Sequence, residues 1–354
     1  MTLDHHQYKK LKINDCLLNG NELLHKAEQV KNNPDAPQWE TDLFGFIEEW
    51  LEPSEFIQVP TSGSTGTPKW IRVSKKAMLR SAFNTNDFFN LGPGHTALLC
   101  LSCKYIAGKM MVVRALAGGL NLVTVPVSGR PLQELGRPAD FAAMTPHQMS
   151  NEQQQPNNFF PATVILGGSP VNRQLSKDLQ NCPSRIWETY GMTETLSHVA
   201  LRPVNGPEAS EFFQPMKGVR VSLDARRCLV IEAEGITDRP VVTNDVAELQ
   251  KDGTFRILGR IDNIINTGGI KVVPEEIEKT IAPYMPAPFF ISSVPHMVLG
   301  QEIVIISEKE VPEKEKLLEK LKKILPPYHA PKQIIVKSPL PRTETGKLIR
   351  RSFE

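Results

Sequence analysis

Apolar residues recur at helical spacing in the first part of the chain. Leu23, Leu24, Ala27 and Val30 share one face of a helix over residues 20–33. Leu43, Phe44, Ile47 and Trp50 share one face of a second helix over 41–52, with Asp42, Glu48 and Glu49 opposite. Residues 56–59 form a short apolar strand, and Ser74 is placed to cap a helix running to Phe89. From Thr96 the pattern changes to continuous apolar runs of strand length at 97–101, 120–125, 140–144 and 162–166, with a helix from Tyr105 to Ala117 between the first two. Such runs alternating with helices predict a parallel sheet covered on both faces. Beyond Pro203 come short strands at 219–223, 228–231 and 247–250, the last followed by the turn Lys251-Asp252-Gly253, as in an antiparallel β-subdomain. Two strand pieces then flank Gly268-Gly269. Pro274 opens a helix, 291–294 and 301–307 read as strands, and 312–324 is an amphipathic helix with a solvated Lys/Glu face. The expected fold class is α/β. A large domain, residues 1–260, carries parallel-rich sheets and a β-subdomain, and a small α+β domain covers 261–354.

Candidate chemistry gathers in the breaks of this pattern. Between the strand at 56–59 and the helix after Ser74 lies Thr61-Ser62-Gly63-Ser64-Thr65-Gly66-Thr67-Pro68-Lys69. Glycines let the backbone curl around an anion with its N–H groups inward, hydroxyls add donors, and lysine adds a point charge suited to a triphosphate. The common phosphate-loop spacing does not fit, because Pro68 stands where its second glycine belongs. A solvated Ser/Thr/Gly linker has the same composition.

Gly167-Gly168-Ser169 directly follows a strand, the position from which α/β sheets bind ligands. The stretch from Glu188 to Glu194 follows another strand at 185–187. There Tyr190, beside Gly191, offers an aromatic face, Thr193 a hydroxyl and Glu194 a carboxylate for Mg²⁺. Tyr190 reads equally as a core tyrosine, and Glu194 as an acid favoured by a helix N-terminus. Asp245, in Thr243-Asn244-Asp245, could accept bonds from ribose hydroxyls or be a plain turn aspartate. By composition alone Lys347 is a surface lysine in a polar loop.

Composition narrows the function class. The chain has 354 residues with a formal net charge of +2, which gives no global case for nucleic acid or an anionic membrane. No apolar run approaches the ~20 residues needed to span a bilayer, and the polar N-terminus has no signal-peptide core. Five cysteines point to a reducing, cytoplasmic compartment without a disulfide framework. Cys100 and Cys103, with no second pair at zinc spacing, read as two buried thiols.

Taken together and in order, Thr61–Lys69, Tyr190–Glu194, Thr243–Asp245, residues 259–278 and residues 341–347 resemble the adenylate-forming enzymes: acyl- and aryl-CoA synthetases, luciferases and peptide-synthetase adenylation domains. Pro326-Pro327-Tyr328-His329-Ala330-Pro331 looks like the segment that family carries before its C-terminal strand. Gly191-Met192-Thr193-Glu194-Thr195 with Ser197, and the run from Tyr105 to Leu116 followed by Gly118-Gly119, are most similar to the o-succinylbenzoate–CoA ligases of menaquinone synthesis. The resemblance covers roughly residues 55–354.

It implies ATP, Mg²⁺ and coenzyme A acting on a small carboxylic acid. Thr61, Ser62, Gly63, Ser64, Thr65, Gly66 and Lys69 would hold the β- and γ-phosphates. Gly167, Gly168 and Tyr190 would pack on adenine, Ser169 and Gly191 would belong to the same cofactor-binding set, and Asp245 and Arg260 would bind the ribose. Thr193 would contact the α-phosphate and Glu194 the metal. Lys347 would bridge the reacting carboxylate and the α-phosphate. Asp262 would be the hinge of a mobile C-terminal domain, whose Gly268-Gly269 turn would line a pantetheine channel. Lys109 or Arg114 would recognise the free carboxylate of o-succinylbenzoate.

No nucleic acid or membrane insertion is implied, and a homo-oligomer stays open. The chain departs from the pattern twice. Only residues 1–60 precede Thr61, where the family carries far more, so a reduced N-terminal part is expected and closure of the acyl pocket, by a partner subunit or otherwise, is open. The usual Thr-Gly-Asp reads Thr243-Asn244-Asp245; asparagine tolerates a positive φ, so a turn would survive.

Overall fold

The structure is a computed structural model that describes residues 3–60, 70–153, 159–341 and 350. The chain forms two compact units, Met1–Val221 with Ile231–Val241, and Ser222–Val230 with Val242–Glu354. Most of the strand Val241–Leu249 and all of Phe255–Arg260 fall in the second unit, whereas the sequence reading set them in the first domain.

A nine-stranded sheet organises the first unit. Its order is Gln214–Pro215, His198–Pro203, Arg185–Gly191, Thr163–Leu166, Phe141–Met144, Thr96–Leu99, Asn121–Thr124, Leu11–Ile13, Cys16–Leu18. From Arg185–Gly191 to Leu11–Ile13 every pairing is parallel, and the outer pairings are antiparallel. The apolar runs of the sequence form these central strands because both of their faces are covered. On one side Leu98, Met144, Val164, Leu166 and Ile186 pack with Met149 and Leu175, which come from the helices Pro146–Glu152 and Arg173–Asp178. On the other, Phe89, at the end of the helix Lys75–Phe89, meets Phe141 at 5.3 Å and Trp187 at 5.8 Å between ring centres. The helix Ile106–Gly118 packs beside it, nine of its residues buried in succession from Gly108 to Leu116.

Ser74 caps its helix as the sequence suggested, its side chain accepting from Ala77 N. Lys75, fully buried, donates at 2.8 Å to the carbonyls of Trp50 and Glu52, ending the helix Gln38–Leu51 where free carbonyls need a donor.

Several elements differ from the sequence reading. Glu188 to Gly191 continue the strand rather than follow it, because His198–Pro203 returns alongside and pairs with them. Thr243, Asn244 and Asp245 lie inside the strand Val241–Leu249, not in a turn, and Asn244 is not among the residues with positive φ. Trp70–Ser74 pairs with Phe56–Pro60, so residues 60 and 70, on either side of the Thr61–Lys69 stretch, are cross-strand partners. The hairpin Leu11–Ile13 with Cys16–Leu18 covers a sheet edge that no apolar run had announced.

In the second unit the strands Ile265–Thr267 and Ile270–Val272 are joined by Gly268 and Gly269 at φ +60° and +84°, the two-residue hairpin turn that only residues free of a Cβ penalty adopt easily. The hairpin Phe289–His296 with Gly300–Ser307 follows, and Gln333–Val336 adds a parallel strand to it. Ile265, Ile277, Ile291, Ile305 and Leu321 make the core of this part. Among the described residues no helix is long and apolar enough to cross a membrane.

Phe141 is fully buried between strand and helix. Phe141→Ala is expected to cost about 3–5 kcal/mol of stability through the cavity it leaves. Urea unfolding measures this, and a loss below about 1 kcal/mol would contradict the packing described.

Candidate active site

The carboxyl ends of the parallel strands carry the first group of expected site residues. Gly167 leaves the end of Thr163–Leu166 with its N–H bonded to Met144 O at 3.1 Å. A Cβ on Gly167 would stand 2.6 Å from Thr189 Oγ1, which donates to Leu166 O, so this loop lies directly against the strand of Tyr190. Gly168 and Ser169 continue it. Tyr190 is half-buried, its ring 5.8 Å from that of Phe213. Gly191 has no room for a side chain: a Cβ would sit 2.0 Å from Ser197 O across the irregular pairing with His198. Thr193 to Thr195 then form a single tight turn, held by Thr195 Oγ1 against Met192 N, Met192 O and Ser197 O. Thr193 is buried and Glu194 exposed. The structure thus brings Gly167, Gly168, Ser169, Tyr190, Gly191, Thr193 and Glu194 to neighbouring strand ends.

Arg114 and Lys109 sit on the same helix, and their surroundings differ. Lys109 Nζ is 3.0 Å from Glu49 Oε2 and 4.4 Å from the centre of the Phe46 ring, so its charge is matched. Arg114 is 1% exposed. It donates to Ser197 Oγ at 2.9 Å and to Met111 Sδ at 3.4 Å, and its Nε finds no partner. Burial lowers its pKa to about 9, with no carboxylate among the described residues acting on it.

The groups around Arg114 form one directed chain. Thr85 Oγ1 donates its single proton to Ser81 O, so the 3.2 Å contact with His198 Nε2 needs the imidazole to donate. Nδ1 is then free to accept from Ser197 Oγ at 3.4 Å. This is a neutral imidazole, and burial, with Arg114 second, holds the His198 pKa well below the usual value. Ser81 Oγ and Asn86 Oδ1, in the same buried region of the helix Lys75–Phe89, lack partners, and Asn86 Nδ2 donates to Arg114 O. A buried guanidinium that no carboxylate among the described residues matches suits an anionic ligand that brings its own oxygens.

The second unit holds the expected ribose and hinge residues. Asp245 and Arg260 face each other across their strands, and Arg260 Nη1 is 3.2 Å from Asp245 Oδ1. Arg260 Nη2 also reaches Asp262 Oδ2 at 2.9 Å. Asn244 Nδ2 bonds both Asp262 oxygens at 3.2–3.3 Å. The asparagine that replaces the usual glycine therefore acts through its side chain, not its backbone. Thr61, Ser62, Gly63, Ser64, Thr65, Gly66, Lys69 and Lys347 lie outside the described residues.

Among those described, only Asp4, His5 and His6 group closely enough for a multidentate metal site. Glu194 is in no such group, which fits Mg²⁺ held chiefly by substrate phosphates. All five cysteines are unpaired, and burial pushes Cys100 and Cys103 up to about 12, as expected of inert buried thiols.

The family model described as AMP-binding enzyme matches residues 5–225. The chain belongs to the AMP-binding enzyme family. Among relatives of this AMP-binding enzyme, the 2-succinylbenzoate--CoA ligase of Salmonella typhimurium is 26% identical over 275 residues, 72% of this chain and 58% of the relative. The chain thus spans less than two thirds of that relative's length. A solved acyl-CoA synthetase (AMP-forming)/AMP-acid ligase II-like protein from Dyadobacter fermentans is 35% identical with a TM-score of 0.62, covering 91% of this chain and 95% of that one. The o-succinylbenzoate CoA synthetase of Bacillus subtilis, solved with the acyl-adenylate intermediate OSB-AMP, superposes with a TM-score of 0.76 over 97% of this chain and 94% of that one at 15% identity, a likeness of fold alone. The fold is that of the adenylate-forming enzymes.

Sequence reasoning missed Ser197 as the partner of Arg114, His198 beside Ser197, and Glu188 behind Tyr190. Ser197 and His198 follow a recognisable motif, but nothing in their spacing announces a helix arginine 83 positions earlier.

His198 supplies a pH test. Its pKa near 6.5 when unfolded is depressed on folding, so below pH 6.5 the unfolded state binds the additional proton. Stability from this site is complete above about pH 6.5 and is lost as pH falls towards the folded pKa. His198→Gln is expected to flatten the fall of melting temperature between about pH 6.5 and 5. An unchanged slope would mean that the imidazole is not buried neutral.

Proposed function

We propose that the protein is an AMP-forming acid–thiol ligase that activates o-succinylbenzoate and passes the acyl group to coenzyme A in menaquinone synthesis. The family, the names of the relatives and the order of the motifs support the ligase. The observation that favours an acid with a second, free carboxylate is Arg114, a fully buried guanidinium without a matched charge among the described residues. Lys109, already paired with Glu49, is the weaker candidate.

In the proposed reaction a carboxylate oxygen of the acid attacks the α-phosphorus of ATP and pyrophosphate leaves. The coenzyme A thiolate then attacks the acyl carbon, and AMP leaves. Phosphoryl transfer of this kind needs positioning and charge stabilisation rather than a nucleophilic side chain. Thr61–Lys69 would grip the β- and γ-phosphates, Gly167, Gly168, Ser169, Tyr190 and Gly191 the adenine, and Asp245 with Arg260 the ribose. Thr193 would bond the α-phosphate, and Glu194 would hold Mg²⁺, which supplies neutralising charge when bound. Lys347 would lower the cost of bringing carboxylate and α-phosphate together. Residues 261–354 would then move as a domain about Asp262, taking Lys347 out and bringing the Gly268-Gly269 turn to the pantetheine.

Pyrophosphate release with MgATP and a panel of carboxylic acids, with and without coenzyme A, tests the proposal. Selective conversion of o-succinylbenzoate to its thioester is expected; release with benzoates or fatty acids instead would keep the mechanism and discard the acid. Arg114→Met is expected to raise KM for o-succinylbenzoate about 10- to 100-fold, the worth of a charge-assisted bond, without lowering the melting temperature, since it removes a buried unmatched charge. An unchanged KM would remove Arg114 from the acid site. Lys347→Ala is expected to abolish adenylate formation and spare thioester formation from supplied acyl-adenylate. Equal loss of both half-reactions would refute the domain movement.

A further inference from the structure

A buried ion pair lies behind the two segments assigned to adenine. Glu188 Oε1 accepts the Val171 N–H at 3.0 Å, and Glu188 Oε2 pairs with Arg202 Nη2. Val171 directly follows Gly167-Gly168-Ser169-Pro170, so this carboxylate anchors the far end of that loop. Arg202 Nη1 donates to Ser210 O at 2.6 Å, and its guanidinium carbon lies 5.5 Å from the centre of the Phe213 ring. Phe213 in turn lies 5.8 Å from Tyr190. One carboxylate and one guanidinium therefore connect the glycine loop on one side to the aromatic ring on the other. The side chains are 7% and 14% exposed.

Such a pair is a poor choice for stability alone. The cost of removing both charges from water roughly cancels their attraction, and apolar residues of similar volume do as well or better. Its burial raises the Glu188 pKa, and Arg202 only partly offsets this. What an ion pair adds over apolar packing is direction: a carboxylate with one oxygen on a backbone N–H and the other on a fixed guanidinium has a single orientation. The two segments so oriented are the ones that would sandwich a base.

We propose that Glu188, acting with Arg202, is a positioning residue for the nucleotide base, setting the separation between the Gly167–Ser169 loop and the Tyr190 ring. This rests on the reading above that those two segments hold adenine.

The test is calorimetric binding of MgATP, MgGTP and pyrophosphate to the full chain, comparing wild type with Tyr190→Ala, Phe213→Leu and the double variant Glu188→Gln with Arg202→Met. The double variant removes both charges together and so leaves no unpaired buried ion. Phe213→Leu and the double variant are each expected to weaken MgATP about fivefold, the worth of an aromatic contact, and to narrow the preference for ATP over GTP. Pyrophosphate binding should stay within about twofold of wild type, because the phosphate loop is untouched. Weaker ATP binding in Tyr190→Ala alone would overturn the positioning role while keeping the adenine assignment. Unchanged ATP binding in Tyr190→Ala would overturn the adenine assignment itself. A parallel loss of pyrophosphate affinity in the double variant would show that the pair holds up the fold, not the base, and would also overturn the proposal.

Discussion

A parallel sheet buried on both faces leaves few places for polar chemistry. Its central strands spend their side chains on the two helical layers, so Leu98, Val164, Leu166 and Ile186 are almost wholly removed from water. Polar groups can enter only where a strand ends and the chain turns over the sheet. Gly167 follows one such end and Gly191 closes another, the second strand running three residues past the Leu166–Glu188 pair of their parallel register. The glycines there answer local crowding by Thr189 and Ser197, so the backbone can run close against its neighbour. The site is thus a consequence of the sheet's burial, and its precision comes from strands that cannot shift without exposing apolar surface.

Three buried charges in the first unit differ in how they are matched. Lys109 is matched by Glu49 and a ring face. Glu188 is matched by Arg202 and a backbone N–H. Arg114 is matched by no carboxylate among the described residues and keeps only a hydroxyl and a thioether. Leaving a cation in that state costs folding free energy, which is why such groups are rare unless a ligand completes them. Neutral His198 fits the same logic, because a second positive charge beside Arg114 would deepen the deficit.

Much of the fold was legible in the chain because its long apolar runs admit one solution. Strands at 97–101, 120–125, 140–144 and 162–166 appeared within a residue or two of where the pattern put them. The N-terminal hairpin was not legible: Leu11–Ile13 and Cys16–Leu18 are three residues each, below the length at which alternation carries a signal. Nor was the extension of Arg185–Gly191, where Glu188 to Gly191 read as a loop until a partner strand paired with them. Asn244 was read for its backbone and acts through its amide, a contact with Asp262 that no local pattern encodes.

The sequence by itself determined the alternation of strand and helix, the order of the motifs and the chemical types at the strand ends, since these depend on neighbours a few positions apart. Tertiary structure alone decided which charges are matched. Lys109 and Arg114 lie five positions apart on one helix, both within its continuously buried stretch, yet Glu49 reaches only the first. The difference arises from groups 60 and 83 positions away along the chain, Glu49 for the lysine and Ser197 for the arginine. Coulomb and desolvation energies depend on distance in space, and no periodicity in the sequence records it.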